Sequence, residues 1–597
     1  MKQEPSAFSV LALPFKKKST LIRLMDYTGQ NKSALKKAFL LLLIATVTDI
    51  SGPYLIKVLI DDYIAKKEWV WNIFFGFFIV YLIINMISAF AHYFQSVHLQ
   101  GVAFKVIQKI REDVFHALIH FPLSYFDRAA TGNLVSRIAN DTENIKELYV
   151  SVLGNYVQNS FKILGAFIVM SLLDFRLMLV CLFFLPIIIG LMILYRRYST
   201  PLFQRAREVL GEINGKLNES IGGMTTIQLF NQQRRFSEDF SALNEQHFQV
   251  RHKNLKLDAL LLRPCVDMLH MFTLAAILFY FGQQGLIFSV QVGVIYAFVS
   301  YLSRFVEPII EMTQRLNIFQ HSFVSAVRVF DLLDEAQDTL LGGKMARKKH
   351  GEIHRGKLSF DNVTFGYQPA QIIIKQLSFS ILPCEFIGIV GHTGSGKSTL
   401  LSLLLGFYVP NTGKITIDDC LLSELSSESL HASIVYIQQD PFIFSGTIFD
   451  NIALGNTCSY DQVIQAVTAV GLFDWLHSKP EGLNFLLKER GANLSAGQRQ
   501  LIALARALVH QPRILLLDEV TSHIDSETEA VFQKALLALR GKMTLIVVAH
   551  RLSTIKKADR IWVMHQGEIK QEGTHFSLIA VDGLYQHLFQ LQSQLNI

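Results

Sequence analysis

The chain has 597 residues, half of them hydrophobic and 18% charged, and a formal net charge of +7. Its mean hydropathy of +0.31 is too apolar for a soluble enzyme of this length and points to membrane spans joined to at least one further domain. The basic excess is spread out, with no aromatic-interleaved patch, so nucleic acid is not an expected partner; cytoplasmic loops beside anionic lipid are.

Residues up to about Lys37 are basic and mixed, with Lys16-Lys17-Lys18 but no apolar core ending in a small-residue cleavage site. No removable signal peptide is read there, and the stretch suits either an amphipathic helix on the membrane surface or a polar leader. Six apolar segments follow at 39–60, 69–94, 152–173, 177–195, 257–281 and 286–310. Each approaches or exceeds the roughly 20 residues that a helix needs to cross the hydrocarbon. The short connections at 61–68, 174–176 and 282–285 carry little basic excess, whereas the leader and the stretches 95–151 and 196–256 are rich in Lys and Arg. The positive-inside rule therefore places both termini and both long loops in the cytoplasm. Val102, Val106, Ile110 and Val114 keep helical spacing in the first long loop, so the spans are expected to continue below the bilayer. Pro53, Pro186, Pro264 and Pro308 favour kinks. Arg263 and Asp267 lie one turn apart, and Arg263 is close enough to the interface to snorkel there. The five cysteines (Cys181, Cys265, Cys384, Cys420, Cys458) have no C-x-x-C spacing and suggest neither a disulfide framework nor a zinc site.

After a linker at 341–356, residues 357–597 alternate short apolar strands with helical patterns, the mark of an α/β domain. The apolar run 386–390 leads into Gly391-His392-Thr393-Gly394-Ser395-Gly396-Lys397-Ser398, and Thr399 continues into a helical stretch. This G-x-x-x-x-G-K-[ST] octapeptide between strand and helix is a phosphate loop. Its glycines let backbone N–H groups turn inward on phosphate oxygens, and the helix adds its positive dipole end. Lys397 is placed to reach the β- and γ-phosphates of ATP, and Ser398 to ligate Mg²⁺. Further on, Ile514-Leu515-Leu516-Leu517 reads as a buried strand delivering Asp518 and Glu519 at its carboxyl end, where open α/β sheets bind ligands. Asp518 suits the Mg²⁺ shell, and Glu519 suits orienting and deprotonating a water.

Between these landmarks stands Leu494-Ser495-Ala496-Gly497-Gln498, opening a helical stretch. With it, essentially the whole chain resembles a subunit of an ATP-binding cassette exporter. The pentapeptide is similar to the family signature L-S-G-G-Q, with Ala496 in place of the first glycine. The resemblance implies an all-α transmembrane domain of six helices (residues 1–340) fused to an α/β phosphate-loop domain. It also implies that Ser495, Gly497 and Gln498 face ATP held on a second cassette. Tyr367 resembles the aromatic that stacks on adenine, Gln439 the glutamine that senses Mg²⁺, and His550 the switch histidine at the γ-phosphate. Glu489-Arg490-Gly491 resembles the exporter loop that touches the membrane helices. Ser522-His523-Ile524-Asp525 resembles the S-A-L-D loop, keeping Ser522 and Asp525 but departing at His523 and Ile524. Phe126-Asp127 with Thr131-Gly132, and Glu219-Ser220-Ile221-Gly222-Gly223, resemble the two intracellular regions, with coupling helices expected near 141–146 and 221–229. Within the family, the chain is most similar to bacterial multidrug-resistance-like half-transporters of the Mdl type, which pair with a non-identical sister. The resemblance thus implies ATP hydrolysis, alternating-access export of amphipathic or drug-like compounds, the bacterial inner membrane as location, and a sister subunit in preference to self-pairing. A lipid or peptide exporter shares every motif, and a non-transporting membrane ATPase regulator is the remaining alternative.

Overall fold

The computed structural model describes residues 15–29, 31–66, 71–127, 129, 131–262, 264–285, 291–341, 353–368, 371–455, 458–519, 524–549 and 551–595. The chain forms two compact units: Met1–His120 with Ala130–Glu335, and Phe121–Ala129 with Ala336–Ile597.

The first unit is helical. Among the described residues, six helices are long and apolar enough to cross a membrane: Lys32–Ile64, Trp71–Ile119, Thr131–Leu173, Leu182–Gly222, Gln233–Gly282 and Val292–Ala336. Most are more than twice the length that crossing requires, so the apolar segments do continue as helix well beyond their hydrophobic windows. Pro53, Pro186 and Pro308 lie inside these helices, as does Pro201. Spans three to six share a core of Ala166, Met170, Ile188, Val266, Ile277 and Phe298. The first span joins them closely. A Cβ on Gly165 would collide with the Ile50 side chain, and the Tyr301 hydroxyl donates to the Ile50 carbonyl at 2.5 Å. Arg263 lies outside the described residues, so its pairing with Asp267 has no structural account.

One expectation for this unit is made specific and one is corrected. The leader contains a helix, Phe15–Gly29, but its inward face meets protein: Leu24 and Thr20 are buried. Tyr27 donates to Asp113 at 2.8 Å, and the Tyr149 hydroxyl donates to the Leu24 carbonyl at 2.6 Å. Nor is the stretch 141–146 an open docking surface. Asp141 is buried, accepting from Ser325 Oγ and Arg328 Nε, each at 2.9 Å, and Ile145 is fully buried. The segment that joins the second unit is instead Phe121–Ala129, where the Tyr408 hydroxyl donates to Asp127. Its pattern is too short to mark it, and only burial separates the two stretches.

The second unit contains twelve strands among its described residues: β1 (Leu358–Phe365), β2 (Ile374–Ile381), β3 (Phe386–Val390), β4 (Thr412–Ile417), β5 (Cys420–Leu421), β6 (Ile434–Ile437), β7 (Gly446–Thr447), β8 (Leu486–Leu487), β9 (Ile514–Asp518), β10 (Thr544–Val548), β11 (Arg560–His565) and β12 (Glu568–Gly573). One sheet, ordered β2-β1-β4-β5, is antiparallel. A second is ordered β12-β11-β3-β10-β9-β6 and is parallel except for its β12 edge, and β7 and β8 form a small antiparallel pair. Strands β3, β9 and β10 are buried at every position, as expected of parallel strands covered on both faces. The unit is thus the α/β domain that the strand–helix alternation predicts. The linker is visible only at its end, since residues 342–352 lie outside the described set.

Candidate ATP site

Strand register builds the site. Val548 on β10 pairs with Ile389 on β3 and with Asp518 on β9, so the phosphate loop and the acidic pair leave the sheet at one level, on either side of one residue. This is the carboxyl edge of the parallel sheet. On the far side, Ile437 of β6 pairs with Leu517, which brings the chain leading to Gln439 alongside Glu519.

The loop closes on itself. The Lys397 ammonium donates to the carbonyls of Gly391 at 2.8 Å and His392 at 3.2 Å, and Ser395 N donates to His392 O at 3.1 Å. Gly396 has φ +100° and caps the helix Lys397–Leu404, a conformation that glycine adopts without cost. A Cβ on Gly391 would collide with the carbonyl of Met564. Thr393 and Gly394 form the exposed tip, and Thr399 is buried behind the loop. Tyr367 reaches Thr399 Oγ1 with its hydroxyl at 3.4 Å and packs edge-on with Phe365 and Tyr408, while the residue stays 44% exposed.

Glu519 has φ +48°, which for a residue with a side chain costs about 1–2 kcal/mol. Its N–H is held by the Val548 carbonyl at 2.9 Å. The turn brings Oε1 to 3.9 Å from Lys397 Nζ. Burial lowers the pKa of Lys397, against the opposing charges of Glu519 and Asp518. Burial raises that of Asp518, with the Glu519 charge adding; the hydroxyls of Ser398 and Tyr436 and the charge of Lys397 pull the other way. Tyr436, on β6, donates to Asp518 Oδ2 at 3.2 Å; burial and that carboxylate raise its own pKa, so it remains a proton donor. Asp518 Oδ1 and Ser395 Oγ are buried and have no partner among the described residues. Such atoms are costly unless a ligand completes them. A divalent cation at Asp518 and Ser398, and a phosphate oxygen at Ser395, fit that requirement.

Lys397, Ser398, Asp518 and Glu519 are therefore brought together, with Tyr367 and Thr399 beside them. Ser495 and Gln498 are not: Ser495 Oγ accepts from Gln498 N at 3.1 Å and Gln498 Oε1 from Ser495 N at 3.0 Å, a capping box on the helix Ala496–His510. Gly497 is buried where a Cβ would press on Thr528 of the neighbouring helix, so its small size also serves packing within this domain. Asp525 caps that neighbouring helix, accepting from Thr528 N at 2.9 Å, and this bond is the first cause of its lowered pKa. Gln439 is exposed, and its carbonyl accepts from Gln500 Nε2 at 2.5 Å. His550, Ser522 and His523 lie outside the described residues. Sequence reasoning passed over Tyr436 and Gln500. Neither sits in a recognisable motif, and only the placement of β6 beside β9 reveals Tyr436.

Residues 36–309 match the family described as the ABC transporter transmembrane region, and residues 374–522 match the ABC transporter family. The chain is 38% identical over 578 residues to the multidrug resistance-like ATP-binding protein MdlB of Buchnera aphidicola, covering 96% of this chain and 98% of that one. It is 40% identical over 508 residues to the probable multidrug resistance ABC transporter protein YheH of Bacillus subtilis, covering 85% and 75%. It is 30% identical over 573 residues to an ATP-dependent lipid A-core flippase of Nitrosococcus oceani, covering 96% and 95%. Among solved structures, a bacterial Atm1-family ABC exporter with ATP bound superposes with a TM-score of 0.80 at 24% identity, covering 94% of this chain and 98% of that one, a likeness of fold.

Proposed function

The chain belongs to the ABC transporters as an ATP-hydrolysing, multi-pass membrane exporter subunit, and on that premise we propose that it drives amphipathic, drug-like compounds out across the bacterial inner membrane by alternating access. On this reading both termini and the cassette lie in the cytoplasm. The observation that carries the ATPase half is the convergence of Lys397, Asp518 and Glu519 at one edge of the parallel sheet.

In that arrangement the loop from Gly391 to Ser398 binds the phosphates through backbone N–H groups, with Lys397 turning its ammonium from the loop carbonyls to the β- and γ-oxygens. Tyr367 stacks on the adenine. Ser398, Asp518 and Gln439 would hold Mg²⁺, which would supply charge neutralisation at the phosphates. Glu519 orients a water and takes its proton as the water oxygen bonds to the γ-phosphorus and the bond to the bridging oxygen breaks. His550 steadies the γ-phosphate. Ser495, Gly497, Gln498 and Asp525 serve the ATP of an opposing cassette.

The test is Glu519→Gln in the purified complex in lipid, with the partner's site disabled. Loss of a positioned general base predicts a fall in ATP turnover of about 100-fold or more while ATP binding persists. Unchanged turnover would overturn the assignment.

A further inference from the structure

Asp49 stands at the middle of the first apolar segment, residues 39–60. Its Oδ1 accepts from Ser88 Oγ at 2.5 Å and its Oδ2 lies 3.0 Å from His92 Nε2, both on the second span. On the third span, Gln158 Nε2 lies 3.4 Å from the other ring nitrogen of His92. The neighbourhood is held firmly: Gly165 seats the third span against Ile50, and Tyr301 grips the Ile50 carbonyl. The ATPase chemistry makes no use of this cluster.

Ionisable groups within spans are costly and belong against a bundle interior or a watered path. Asp49 meets that cost without a Lys or Arg ion pair among the described residues: its direct partners are the Ser88 hydroxyl and the His92 imidazole, which satisfy its hydrogen bonds. Lys162 stands one turn beyond Gln158 on the third span, on the same helix face. The side chains of Asp49 and His92 remain 21% and 29% exposed, so an edge of the pair is reachable from outside the helix packing. Since a carboxylate turned toward lipid tails is disfavoured, that edge belongs to a polar path.

We propose that Asp49, preorganised by Ser88 and His92, is the charge-selecting group of the substrate path and takes the ammonium group of cationic amphipathic molecules. This rests on the export reading above. Lys162, as a weaker opposing charge, tempers the preference. Transport by the intact complex in inverted vesicles tests it, using two probes of the same length and shape, one ending in a quaternary ammonium and the other in its neutral tert-butyl isostere. Asp49→Asn should raise KM for the cation about tenfold and leave the neutral probe within about twofold. Lys162→Gln should move the cation's KM in the opposite direction, which loss of folding cannot do. Equal changes for the two probes, or no change for the cation in either variant, would overturn the inference while leaving the export reading intact. Transport of neither probe by the unaltered complex, with ATPase activity present, would overturn both.

Discussion

Tyr436 bears on the charge state of Asp518 from a strand that no nucleotide motif marks. Burial already raises the pKa of Asp518, and the Tyr436 hydroxyl is one of the groups restraining that rise. Removing the hydroxyl favours the protonated acid, so Tyr436→Phe should shift the acidic limb of the ATPase pH profile upward. A hydrogen bond worth about 0.5–1.5 kcal/mol sets the shift at up to about one pH unit. A pH–rate series on wild type and variant reads it directly, and a limb unmoved or displaced downward would refute the coupling. At this scale the sequence was most legible where chemistry demands fixed spacing. Lys397 and Ser398 follow from the loop itself, and Asp518 from a strand with nowhere else to present an acid. Tyr436 was hidden because its contact spans 82 positions and depends on strand order. The capping bonds of Ser495 and Asp525 were hidden for a different reason: one side chain can serve its own helix and a ligand alike, and a motif names only the second role.

The end of the linker is fastened chiefly through its backbone N–H groups by one carboxylate. Asp418, in the turn between β4 and β5, accepts from the backbone N–H groups of His354, Arg355 and Lys357 at 2.8 Å and of Gly356 at 3.2 Å. Burial opposes its charge, but those four donors outweigh burial and hold its pKa below the ordinary value. A depressed carboxyl pKa means stability that is present above the unfolded value, near 3.9, and is lost as pH falls through the folded one. Asp418→Ala should therefore destabilise the cassette by about 1–3 kcal/mol at neutral pH, with the deficit shrinking in acid. Thermal unfolding at several pH values checks this, and a variant equally deficient at every pH would contradict it. Elements were legible unevenly for a physical reason. The six long helices announce themselves by apolar run length, which needs no partner to be read. An amphipathic helix such as Phe15–Gly29 shows only that it has two faces. That its inner face meets Tyr149 and Asp113 is a tertiary fact.

One chain supplies one bundle of spans and one cassette, and Ser495 shares no bond with the phosphate loop of its own domain. The proposed complement is a second, non-identical chain whose cassette offers ATP to Ser495 and receives the same in return. Expressed alone and placed in lipid nanodiscs, this chain should hydrolyse ATP about tenfold more slowly or less than when co-expressed with its sister, since positioning groups are worth that much or more. Full activity as a homodimer, with no gain from the sister, would refute the heteromeric assignment. The long helices carry a mechanical corollary. Trp71–Ile119 runs 49 residues without a proline, about 74 Å at 1.5 Å per residue. A rod of that length tilted by about 10° about one end carries the other through about 13 Å, more than twice the roughly 5.4 Å rise of a helical turn. A modest rotation is thus geared up along the rod, and a structure this stiff can act as a lever whose far end moves in proportion to its distance from the pivot.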